Sequence, residues 1–201
     1  MSWLDVNWKH ERPSKASVEL LWRSFEVTTV TEVLPAVEEY LVELRRVYTN
    51  GGAYCARFHV NGNEDFNWFA TRNRWDEMSF FSRLLLHPAL VSALPQVAAE
   101  GRATELAEFS WGSSLTLDGE LARALVLGGA YEQFKGTSRE AKELGARVAE
   151  SVFGDRFLDV VVFRCWKPWS PWFFDVAWDS TMLLIDRRLQ LVTVLVSTDT
   201  D

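Results

Sequence analysis

The chain has 201 residues, of which 48% are hydrophobic and 24% charged, and a formal net charge of −7. That is enough apolar material for a substantial core in one domain spanning 1–201. The acidic balance speaks against a protein that tracks nucleic-acid phosphates or docks on an anionic membrane, because both need clustered Lys and Arg.

The opening stretch MSWLDVNWKHERPS has no apolar run after a basic start, so no secretory signal is expected. No uninterrupted apolar run approaches the ~20 residues that span a bilayer. The expected location is the cytoplasm, and the expected state of Cys55 and Cys165 is a pair of separate buried thiols.

Ser24 to Val30 alternates and is rich in β-branched residues, which predicts a short strand. Pro35 suits the first turn of a helix, where its missing N–H costs little. Val37, Tyr40, Leu41, Leu44 and Val47 then form an apolar stripe at helical spacing, and Asn50-Gly51-Gly52 stops it. A hairpin is expected next. Tyr54, Ala56, Phe58 and Val60 share one strand face, with Cys55, Arg57 and His59 on the other. Asn61 to Asp65 supplies the turn and Phe66 to Thr71 the returning strand.

Asp76 to Glu100 reads as helix in two pieces, broken at His87-Pro88 and shortened at Pro95. Glu105 to Trp111 has no clear period. Asp118 is the expected N-cap of a helix over 119–134, weakened by Gly128-Gly129 and ended by Gly136. Thr137-x-x-Glu140 is a capping box that opens a helix running to about Phe153. Its buried side should carry Leu144, Val148 and Val152.

Four strands follow: Phe157 to Cys165, Trp172 to Trp178, Thr181 to Asp186 and Leu189 to Ser197. The connections are short, which predicts an antiparallel meander, with Leu191 to Val196 as a central strand buried on both faces. The class is α+β: an antiparallel sheet, made of this four-stranded meander and the N-terminal hairpin, with helices packed on one side.

Ten tryptophans in the chain are a heavy load, and four of them fall between Trp166 and Trp178. Each buries a large area and must place an indole N–H. Pro168 and Pro171 hold the backbone extended, so Trp166 to Pro171 reads as a loop with Trp169 exposed at its tip. Trp172 and Trp178 are expected on the core face of the next strand. Asp175 and Asp179 are candidate polar groups beside the aromatics. A carboxylate pair next to indole would suit a sugar-like substrate. Against that, Asp179 precedes Ser180-Thr181 and reads as a turn residue. The candidate binding residues are therefore Trp169, Trp172, Asp175 and Asp179. The tail, Ser197 to Asp201, reads as a solvated terminus.

No catalytic residue is assigned. His10, His59 and His87 are isolated, with no metal-ligand spacing, so neither metal nor cofactor is expected. Neither a nucleophile elbow nor a phosphate loop occurs. In size, charge and missing catalytic motifs the chain resembles the small acidic immunity proteins that bacteria make against toxins. No motif carries that likeness, so it transfers no residue. The leading expectation is a non-enzymatic binding module for a protein partner, a basic one by charge. The alternative is an enzyme or ligand-binding protein for a polar, sugar-like molecule, using Asp175, Asp179 and tryptophan. A third reading is a homo-oligomer whose exposed aromatics meet.

Overall fold

A computed structural model describes residues 2–98 and 107–201. The segment 99–106, which holds the end of the predicted helix at Glu100 and the start of the stretch from Glu105, lies outside the described residues.

One six-stranded sheet organises the chain, in the order β1-β2-β6-β5-β4-β3. The strands are β1 (Glu26–Val30), β2 (Gly52–Asn61), β3 (Ser110–Trp111), β4 (Val160–Cys165), β5 (Ser180–Asp186) and β6 (Leu191–Thr198). Every neighbouring pair is antiparallel. The fold is α+β, as the element pattern predicts. β6 is buried along its whole length between β2 and β5. From Leu191 to Val196 only Thr193 is polar, as suits a strand covered on both faces.

Successive residues of β6 point to opposite faces. Val192, Val194 and Val196 enter one core, and Leu195 enters the other. The second core is roofed by the three long helices: α2 (Pro35–Val47), α6 (Leu117–Leu127) and α7 (Ser138–Phe153). Val37, Tyr40, Leu41, Leu44 and Val47 face inward as their spacing requires. The predicted capping box opens α7, with Thr137 and Glu140 hydrogen-bonding reciprocally. The other face carries an aromatic layer. It is built by four short helices: α1 (Lys15–Leu21), α3 (Glu64–Ala70), α4 (Phe80–Leu85) and α5 (Pro88–Ala93).

Three segments depart from their expected form. Phe66 to Thr71 is not a returning strand, because α3 occupies 64–70. Asn63 accepts a hydrogen bond from Phe66 N and caps that helix, with Glu64 and Asp65 in its first turn. The residues that read as turn chemistry are a helix start, and β2 pairs with β1 instead of a hairpin partner. The stretch Trp172 to Trp178 is not a strand either. It forms successive turns between β4 and β5, so the C-terminal meander has three strands. Helix α6 stops at Leu127 rather than Phe134, because Gly128 adopts φ 77° and leaves the helix. A Cβ at Gly129 would collide with the Val47 carbonyl and the Asp199 carboxylate, so the chain can pass there only as glycine. The expected cap Asp118 lies inside the first turn, where it pairs with Lys142 of α7 at 2.6 Å.

Among the described residues, no helix is long and apolar enough to cross a membrane.

Candidate functional site

The C-terminal end of β6 is a polar anchor inside an apolar sheet. Ser197, Thr198 and Asp199 are all buried, contrary to a solvated tail. Asp199 is 0% exposed and its two oxygens hold two different loops. Oδ1 accepts from Asn50 N at 2.9 Å, in the α2–β2 turn, and Oδ2 accepts from Ala130 N at 2.8 Å, just past α6. Asp179 works in the same way on the loop between β4 and β5. Thr198 Oγ1 donates to its Oδ1, and Phe174 N also reaches Oδ1, at 3.4 Å. Val176 N donates to Oδ2 at 3.2 Å. A buried carboxylate is costly unless its lone pairs are filled. Here backbone N–H groups and a hydroxyl fill them, and the loops are fixed as a result.

This arrangement redistributes the four candidate residues. Trp169 is not an exposed tip. It is 0% exposed, packs at a tilt against Phe173 with ring centroids 5.3 Å apart, and donates its indole N–H to Thr181 Oγ1 of β5 at 2.8 Å. The ring lies over β5, where the Thr181 hydroxyl satisfies the indole N–H. Trp172 is half-buried against Tyr54, 5.5 Å away, and Arg45 covers the far ring at 5.4 Å. Asp175 stands exposed at φ 59°, the left-handed position of the turn that Asp179 closes. Asp179 itself faces inward and is 1% exposed. Asp175 and Asp179 are thus the outer and inner residues of one turn.

The clasped loops also present apolar side chains outward, beside exposed Asp175 and Glu132. Leu127 at the end of α6 is 60% exposed, Tyr131 in the next turn 65%, and Phe174 48%. The turn bearing Tyr131 is closed by Gly129 N donating to Glu132 O at 3.0 Å. Trp178 joins the two loops by donating its indole N–H to Gly128 O at 3.1 Å. Sequence reasoning missed Leu127, Tyr131 and Phe174. The available signal was Gly128-Gly129, which breaks the apolar period and turns what would be a helix face into a loop.

Beyond Tyr131 the same α6–α7 connection borders a groove between α2 and α7. Glu39, Glu43, Glu140 and Glu143 line it beside Phe134, together with Arg147, and Arg46 pairs with Glu43 from the side. It is a wide, open concavity of about 810 Å³, counting the solvent space inside it. Arg147 grips Glu39 with two hydrogen bonds of 2.7 Å, and that contact holds the Glu39 carboxyl below its ordinary range. The Thr137 backbone N–H and hydroxyl do the same for Glu140. Both therefore stay ionised at neutral pH.

A second concavity lies under the N-terminal arm. The Arg72 guanidinium sits between the rings of Trp8 at 5.2 Å and Trp68 at 4.4 Å, and donates to Asn7 O at 3.0 Å. His10 is tied to Asp65 at 3.3 Å, and Trp68 donates to His10 O at 3.0 Å. These contacts dock the arm.

Cys55 and Cys165 are free thiols whose side chains join opposite cores. Burial pushes the Cys55 thiol up to about 12, which leaves it protonated and unreactive at neutral pH. Among the described residues, no group of three or more His, Cys, Asp and Glu side chains converges as a metal site.

No protein-family model, curated protein or solved structure matches the chain.

Proposed function

We propose that the chain is a non-enzymatic, acidic protein-binding module whose partner is basic. The observation that carries this reading is the glutamate-lined groove between α2 and α7, next to loops that show large apolar side chains. Protein interfaces combine these parts: anchors that lose water on contact and charges that steer the encounter. The mode of action is steric, as for an immunity-type inhibitor that covers a basic cleft on a toxin. The alternative, an enzyme or binding protein for a sugar-like molecule, has weaker support. Both oxygens of Asp179 are committed to Phe174, Val176 and Thr198, so Asp179 has little left for a substrate.

The test is affinity capture by the intact chain from its native lysate, at low and at raised salt, with the bound protein identified by mass. A basic protein released by salt is expected. A variant carrying Glu43→Lys and Glu143→Lys should lose it, while its melting temperature stays nearly unchanged because both side chains line an open groove. Equal capture by the charge-reversed variant would reject the reading.

A further inference from the structure

We propose that the hollow between the β1–α2 connection and β2 binds a small zwitterion with an aliphatic body, the chemistry of a free amino acid such as leucine. No residue of this hollow lines the glutamate groove, so the site is independent of the binding-module reading.

Three observations lead there. First, one concavity gathers an apolar wall and charges of both signs. Val33, Leu34 and Val37 form the wall, and Arg57, Glu32 and Glu38 are the charged residues lining it. Cys55 and Arg57 lie two apart on β2 and face α2 together. The Cys55 thiol is within electrostatic reach of both Arg57 and Glu38, so the two charges converge there. The hollow measures about 510 Å³, counting the solvent space inside it.

Second, Arg57 is under-used. Its side chain is only 11% exposed, yet its one hydrogen bond to a described residue runs from Nη1 to Glu32 Oε2 at 3.2 Å. Nε is buried without an acceptor. A buried donor left unfilled costs free energy. Glu32 reaches in from the rim with its side chain 68% exposed, and such an ion pair is readily given up. A carboxylate that takes its place can engage two guanidinium donors where Glu32 engages one. Third, the start of α2 adds donors. Leu34 at the N-cap makes no side-chain hydrogen bond, and Pro35 follows it. The first turn therefore keeps free N–H groups, which favour a carboxylate nearby.

The mixture of charges selects the ligand. A simple carboxylate would meet Arg57 but also Glu38, and a simple amine would meet Glu38 but also Arg57. A zwitterion answers both. Its carboxylate replaces Glu32 on Arg57, its ammonium faces Glu38 and the displaced Glu32, and its aliphatic part rests on Val33, Leu34 and Val37.

The test titrates the intact, isotope-labelled protein with L-leucine, then with isocaproate, which lacks the ammonium, and with isoamylamine, which lacks the carboxylate. The amide signals of Cys55, Ala56 and Arg57 report binding. Leucine should shift them saturably and more tightly than either analogue. Glu38→Gln, at an exposed position, should leave the melting temperature nearly unchanged, weaken leucine about tenfold and strengthen isocaproate. Arg57→Lys keeps the charge but loses the fork, so it should also weaken leucine; if it fails to fold, Glu38→Gln decides. No saturable shift with leucine, equal binding of isocaproate or isoamylamine, or leucine binding unchanged in Glu38→Gln would overturn the site. Capture of a basic protein through Glu43 and Glu143 would stand or fall separately.

Discussion

Trp169 shows how a single side chain can be placed by one distant partner. A buried indole N–H costs free energy unless it finds an acceptor. Thr181, itself 0% exposed, supplies the acceptor from β5, and Phe173 closes the ring from the side. We expect Trp169→Ala to cost about 3–5 kcal/mol of unfolding free energy, measured by urea titration. A loss below about 1 kcal/mol would show that the ring is not load-sharing core. Asp179 and Asp199 follow the same logic with opposite polarity. Each is a buried acceptor whose lone pairs are filled by loop donors, so each organises backbone and leaves little for chemistry.

At the scale of the element, side-chain caps decide where several helices begin. Asn63 starts α3, Thr137 and Glu140 start α7, and His87 starts α5 by accepting from Ala89 N through Nδ1 at 3.2 Å. The His87 cap works only when Nδ1 is unprotonated. Burial lowers the His87 pKa from its ordinary value. The unfolded chain therefore binds the proton first as pH falls. Stability linked to this group is full above about pH 6.5 and is lost as pH drops from there toward the depressed folded value. Melting temperature should decline across that window. His87→Asn keeps a capping acceptor that does not titrate, so it should flatten the decline. An unchanged slope in His87→Asn would remove His87 as the cause. Asp118, Glu39 and Glu140, all held below the usual carboxylate range, act only at lower pH.

Across the whole molecule, the N-terminal arm completes the aromatic core. Trp3 is fully buried and meets Phe66 at 5.3 Å and Trp75 at 5.7 Å. Its backbone N–H donates to Arg187 O at 2.9 Å, in the turn between β5 and β6. The first residues are thus tied to nearly the last turn. Trp3→Ala should destabilise the entire fold by about 3–5 kcal/mol, seen as one shifted transition by both near- and far-ultraviolet circular dichroism. A separate early transition confined to the aromatic signal would show that the arm melts on its own. The Arg72 sandwich between Trp8 and Trp68 reinforces the arm with a cation–π contact on each face.

Much of this architecture is written in local patterns. The 3.6-residue stripe of α2, the reciprocal cap at Thr137 and Glu140 and the apolar run of β6 each lie within a few residues. Their meaning depends little on distant chain, so the α+β class and the central strand follow from sequence alone. Tertiary structure decided the rest. Asn61 to Asp65 carries residues that serve a turn or a helix start equally well, and packing of Phe66, Trp68 and Phe69 into the aromatic core selected the helix. Trp169 and Phe174 look alike in the sequence. One went inward because Thr181 lies beneath it, and the other outward because Asp179 holds its backbone turned away. The candidate site was legible only as a region: Trp166 to Pro171 reads as loop, but Trp172 to Trp178 reads as a strand and 128–134 as helix, and which aromatics face water was not legible. That choice is made by hydrogen bonds between residues far apart in the chain, and no local period encodes them.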